Sequence, residues 1–110
     1  MTEATFSTRV LQLLEILLER MESVEALEDV DMDLIDGVLT VEFEDGAQII
    51  VNRQSSAEQV WVASPLGPAH FSFDTDKNDW LDDKTSQSLK TTLEQAFSQK
   101  LGMDIKLDAF

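Results

Sequence analysis

Asp36-Gly-Val-Leu-Thr-Val-Glu-Phe-Glu-Asp-Gly-Ala-Gln-Ile-Ile-Val-Asn-Arg53 carries two Asp-Gly dipeptides, at 36–37 and 45–46, each followed by alternating residues. Asp-Gly suits a two-residue hairpin turn because such turns need positive φ, which glycine adopts freely and aspartate tolerates. Between the turns, Leu39, Val41 and Phe43 share one face, with Thr40, Glu42 and Glu44 on the other. After the second turn Ile49 and Val51 alternate with Gln48, Ile50 and Asn52. A period of two is the mark of a half-buried strand. Upstream, Asp29, Asp31 and Asp33 alternate with Val30, Met32 and Leu34. The spacing therefore predicts a three-strand meander over 29–35, 38–44 and 47–53.

Working outward, Phe6, Val10, Leu13, Leu14, Leu17 and Met21 recur at i, i+3, i+4, which predicts an amphipathic helix over 4–24. Downstream, a polar connector (54–58) leads to a fourth strand over 59–64. Pro65, Leu66, Gly67 and Pro68 break it, and a fifth strand follows over 69–73. The polar stretch 74–79 turns the chain into a short sixth strand over 80–82. Thr85 is a candidate cap for a second helix over 86–101, with Leu89, Leu93, Ala96, Phe97 and Leu101 as its stripe and Gly102 as its stop. The tail keeps Met103, Ile105, Leu107 and Phe110, apolar enough to dock along the helices. The expected architecture is an α+β, two-layer sandwich, with two helices on one face of an antiparallel sheet of about six strands.

The 110 residues suffice for one domain, 1–110, with a single core. A hydrophobic content of 43% argues for a globular chain despite a formal charge of -14. With no cysteine there is no disulfide, thiolate metal site or thiol nucleophile, which fits a reducing, cytoplasmic compartment. The first residues lack the basic segment of a secretory signal, and the apolar run 10–18 is too short for a bilayer. The acidic balance excludes nucleic acid and anionic membranes as expected partners and leaves cations or a basic protein surface.

The charge is concentrated. From Glu15 to Asp45 twelve carboxylates face a single basic residue, Arg20. Like charges at i,i+3 or i,i+4 on a helix cost roughly 0.2–0.5 kcal/mol per pair. Carboxylates two apart on a strand lie about 7 Å from each other and repel further. A solvated face that aids solubility is the plain reading, but the cost to a marginally stable domain favours function. On the outer side of the sheet, alternation exposes Gln59, Trp61 and Ala63, and an exposed Trp61 is a candidate hot spot for a protein partner unless neighbouring side chains cover it. Trp80 reads as a structural plug at the sheet edge. His70, the single histidine, also falls outward and is a weak candidate for a metal ligand.

The segments Gly37-Val-Leu-Thr-Val-Glu-Phe, Ile49-Ile-Val-Asn-Arg-Gln54, Gln59-Val-Trp-Val-Ala-Ser-Pro65 and Gly67-Pro68, together with Trp80, resemble the frataxin family, and most closely its bacterial, CyaY-type branch. The resemblance spans nearly the whole chain. It implies the frataxin sandwich, weak and exchangeable iron binding on an acidic ridge, and a non-enzymatic role in iron–sulfur cluster assembly. Carried over by position, the ridge is Glu19, Glu22, Glu25, Glu28, Asp29, Asp31, Asp33 and Glu44. The implied protein-binding surface is Asn52, Gln54, Gln59 and Trp61, and the implied partners are the cysteine desulfurase and the scaffold protein. Leu27 stands where relatives often place an acid, Thr85 and Ser86 replace a glycine, and histidines near the N-terminus are missing.

Hard oxygen ligands on an open surface suit Fe²⁺, Fe³⁺, Mn²⁺, Mg²⁺ and Ca²⁺ alike, with low selectivity and weak affinity. The expectation is an iron-responsive regulator that binds the desulfurase, monomeric without metal. The alternative is an iron chaperone delivering Fe²⁺ to the scaffold. Two further readings remain open at this point. A hydrolase would need a pocket lined by Asp31 and Glu44, and a DNA mimic would bind a nucleic-acid-handling protein.

Overall fold

The structure is a computed structural model that describes residues 3–110. Helix α1 (Glu3–Glu22) leads through a 3-10 turn, Glu25–Leu27, into strands β1 (Asp31–Ile35), β2 (Val38–Glu42), β3 (Gln48–Gln54), β4 (Gln59–Ser64), β5 (Gly67–Asp74) and β6 (Asp79–Asp82). A second 3-10 turn, Ser55–Ala57, joins β3 to β4, and helix α2 (Leu89–Leu101) closes the order. The strands form one antiparallel sheet in the order β1-β2-β3-β4-β5-β6, so every strand pairs with its neighbour in sequence.

Alternation decides which side is dry. Leu39, Val41, Ile49, Val51, Val60, Val62 and Phe71 are buried and join Phe6, Val10, Leu13, Leu14, Leu17 and Met21 of α1 in one core. Leu89, Leu93, Ala96 and Phe97 of α2 belong to the same core, so both helices cover one face. Losing one such leucine would cost about 2–5 kcal/mol. Trp80 lies edge-on to Phe6 and Phe73, with ring centroids 6.2 and 5.3 Å away, and plugs the β6 end as expected.

Several boundaries move, each for a local reason. The first strand begins at Asp31 rather than 29, because Leu27 is pulled into the core by the 3-10 turn and leaves Asp29 and Val30 in the connection. The Asp36-Gly37 turn has positive φ at both residues (51° and 77°), as a two-residue hairpin requires. The Asp45-Gly46 turn is not a second copy. Phe43 N–H donates to Ala47 C=O, and only Gly46 has positive φ, which makes a three-residue loop of Glu44, Asp45 and Gly46. Strand β2 consequently ends at Glu42. Pro65 and Leu66 form a two-residue turn between paired Ser64 and Gly67, so β5 starts at Gly67, two residues before the expected start.

Helix α2 is capped by Ser88, not Thr85. The Ser88 hydroxyl accepts from Thr91 N–H at 3.1 Å, and Ser86 has φ 62°, a left-handed conformation that a helix cannot pass through. Thr85 instead accepts from Gln87 N–H within the preceding turn. Gly102 ends the helix with φ 67° and donates to Ser98 C=O. The tail then docks: Ile105 and Leu107 are buried and Phe110 packs against the core. Ile105 N–H donates to Ser98 Oγ and Leu107 N–H to Glu94 Oε2, both at 2.8 Å. Met103 does not follow them and stays 53% exposed.

Candidate functional site: an acidic rim and an open sheet face

The end of α1, the 3-10 turn and β1 bring Glu22, Glu25, Glu28 and Asp31 around one depression of about 530 Å³. Its apolar lining is Val24, Leu27, Val30 and Met32. The 3-10 turn produces this arrangement. Turning Leu27 inward forces Glu25 and Glu28 outward on either side of it, which also explains the missing acid at 27: that position is core. Asp29 points to the other side. It lines a second depression of about 370 Å³ with Glu44, Asp45 and Lys100.

The ridge predicted as one band is thus divided. Asp31 and Asp33 are exposed on the edge strand, where Asp31 faces Glu42 and Asp33 faces Thr40 across the β1–β2 ladder. Charged residues on an edge strand also discourage pairing with another sheet edge. Asp31 and Glu44, whose common pocket would have supported a hydrolase, border different depressions. Glu42 is an outward carboxylate that the positional reading omitted, although the two-residue turn at 36–37 fixes its pairing with Asp31.

Compensation by internal cations is uneven. Arg20 holds Glu19 at 3.0 Å and donates from Nε to Ala109 C=O at 3.1 Å. Lys100 bonds the carboxylate of Asp45. That bond, with a second from Ala47 N–H, keeps the Asp45 carboxyl below the usual carboxylate range. Among the described residues no ion pair reaches Glu22, Glu25, Glu28, Asp29, Asp31, Asp33 or Glu44. Nor do any three acidic or histidine side chains among them converge as a ready-made metal cage. Such a rim can gather and release hydrated cations, but it is no rigid coordination shell.

The second cluster lies on the uncovered face of the sheet. Register pairs Asn52 with Trp61 and Gln54 with Gln59 on adjoining β3 and β4, so all four predicted partner-binding residues are brought together. Trp61 is half-buried. Its Nε1 donates to Gln59 Oε1 at 2.9 Å, while Gln59 Nε2 donates to Ser72 Oγ (3.1 Å) and Asp83 Oδ2 (3.3 Å). The Asn52 Oδ1 atom is buried and accepts no hydrogen bond from protein. Side chains of the same face cover the tryptophan in part, with His70 stacked against it at 4.2 Å. His70 lies among these residues and away from the carboxylate rim. Ile35, 59% exposed, extends the apolar part of the face toward its edge. The sequence signal for the His70 pairing was the Pro65-Leu66 turn, which sets the β4–β5 register.

Comparison with known proteins places this geometry. Residues 1–103 match the model of the frataxin-like domain. The iron-sulfur cluster assembly protein CyaY of Thioalkalivibrio sulfidiphilus (strain HL-EbGR7) is 52% identical over 107 residues, covering 97% of this chain and 100% of that protein. Frataxin from Psychromonas ingrahamii superposes with a TM-score of 0.83 at 29% identity, over 96% of this chain and 97% of that one. Trimeric frataxin of Saccharomyces cerevisiae, solved in complex with ferrous iron, gives a TM-score of 0.57 at 26% identity, over 93% and 88% of the two chains. No helix among the described residues is long and apolar enough to cross a membrane. With its helix–meander–helix order and two-layer sandwich, the chain belongs to the frataxin family.

Proposed function

We propose that this chain is a non-enzymatic, iron-binding protein of iron–sulfur cluster assembly, which binds the cysteine desulfurase and slows or permits cluster formation according to iron. The observation that carries the reading is the uncompensated set Glu22, Glu25, Glu28 and Asp31 around a single open depression. Exposed carboxylates of this kind take Fe²⁺ or Fe³⁺ weakly and exchange it, and other divalent cations substitute for iron there. The same negative field steers a basic patch of a partner enzyme toward the rim. Cation and enzyme therefore compete for one surface, and iron acts as a brake or a release signal. The relative named as an assembly protein and the frataxin solved with ferrous iron support this assignment.

The uncovered sheet face supplies the second contact, centred on Asn52, Gln54, Gln59 and Trp61, against the desulfurase and its neighbouring scaffold protein. A chaperone that hands Fe²⁺ to the scaffold is the second reading, favoured by the absence of a closed ligand cage among the described residues. A cytoplasmic location follows from the assembly role. The test is a titration of desulfurase binding with Fe²⁺ and Ca²⁺ at constant ionic strength. Competition predicts progressive loss of affinity with either ion, and an affinity indifferent to both would refute it.

A further inference from the structure

We propose that His70 is a positioning residue of the docking surface: its imidazole, stacked on Trp61, fixes the plane in which the indole meets the desulfurase. The inference rests on the docking role given above to the sheet face.

His70 and Trp61 are direct partners in the β4–β5 ladder. Their ring centroids lie 4.2 Å apart with planes inclined by 14°, a stacked arrangement. The indole is held at a second point by the bond from Nε1 to Gln59 Oε1. Gln59 is itself tied to Ser72 and Asp83. Two independent restraints, one on the ring face and one on the ring nitrogen, thus act on a side chain that the helices do not cover. An unrestrained tryptophan on an open sheet would sample several rotamers and lose that freedom on docking. Ordering one such side chain in advance corresponds to roughly two- to tenfold in affinity.

The test follows the indole N–H signal of Trp61 by NMR and the affinity for the desulfurase, in the wild type and in His70→Ala, His70→Phe and Trp61→Ala. The Trp80 indole signal should be unaffected by any His70 variant. His70→Ala should shift the Trp61 signal and weaken binding by roughly two- to tenfold, and His70→Phe, which keeps a flat ring, should restore both. A Trp61 signal unchanged in His70→Ala, or an affinity unchanged in His70→Ala while Trp61→Ala abolishes binding, overturns the positioning role alone. Full affinity in Trp61→Ala, with the signal still responding to His70→Ala, overturns the docking reading and reduces the stack to a structural contact.

Discussion

Replacing Asp31 with asparagine is expected to make the fold more stable, although Asp31 contributes to the proposed site. Asp31 and Glu42 face each other across the β1–β2 ladder, so their Cβ atoms lie about 4.5–5.5 Å apart. Two carboxylates roughly 6 Å apart repel by about 0.7 kcal/mol at the dielectric constant of water and by more beside a protein surface. Asp33, two residues along the strand, adds about 0.6 kcal/mol, but it is also close to Asp31 in the unfolded chain, so part of that cancels. Screening at physiological salt removes around half of the cross-strand repulsion. The expected gain for Asp31→Asn is therefore about 0.5–1 kcal/mol at low ionic strength, a rise in Tm of roughly 2–6 °C. Urea titrations in low salt and in about 1 M salt measure it, because a Debye length near 3 Å extinguishes the repulsion. The gain should vanish in high salt, and saturating Ca²⁺ should stabilise the wild type more than the variant. A neutral or destabilising effect in low salt would refute the view that the rim stores repulsion.

Among the described residues Glu94 is the buried carboxylate, 6% exposed, and its Oε2 accepts from both Leu107 N–H and Lys90. Burial pushes its pKa up, but the Leu107 and Lys90 bonds prevail and hold it below the usual carboxylate range. A depressed folded-state pKa means its stabilisation is complete above the unfolded value and is lost as pH falls through the folded one. Glu94→Ala strands the Leu107 N–H and should cost about 1–3 kcal/mol near neutrality. In melts run from pH 7 down to 3 the gap to the wild type should narrow in acid, and a gap that widens would contradict the assignment. Ser88→Ala removes the cap on Thr91 N–H and should cost about 1 kcal/mol in urea unfolding, whereas Thr85→Ala, outside the helix, should cost less.

The fold was legible wherever a local rule has one outcome. Alternation over 38–43 and 48–52 put the right residues in the core, and the i, i+3, i+4 stripe from Phe6 to Met21 marked α1 to within two residues. What escaped were positions where the backbone departs from a repeat. Asp29 and Val30 satisfy strand periodicity, yet the 3-10 turn anchored by Leu27 absorbs them into the connection. Asp-Gly at 45–46 carries the same dipeptide as 36–37 but closes a longer loop, since Phe43 pairs with Ala47. Thr85 is a good cap by composition, and only the left-handed Ser86 excludes it. The candidate site divides in the same way. Asn52, Gln54, Gln59 and Trp61 follow from register and are contiguous as expected. The split of the acidic band into two depressions, and the engagement of Asp45 by Lys100 from a helix 55 residues away in sequence, are tertiary facts that no spacing encodes.

The proposed iron brake requires cation and enzyme to use one surface. Two NMR maps on the same labelled chain decide it, one of paramagnetic broadening by Mn²⁺ and one of signal loss on adding the desulfurase. Both should cover Glu22, Glu25, Glu28 and Asp31, with the desulfurase map extending to Asn52, Gln54, Gln59 and Trp61 and Lys100-bound Asp45 less affected by the metal. Footprints that do not overlap, or broadening spread evenly over every carboxylate of the chain, would contradict it.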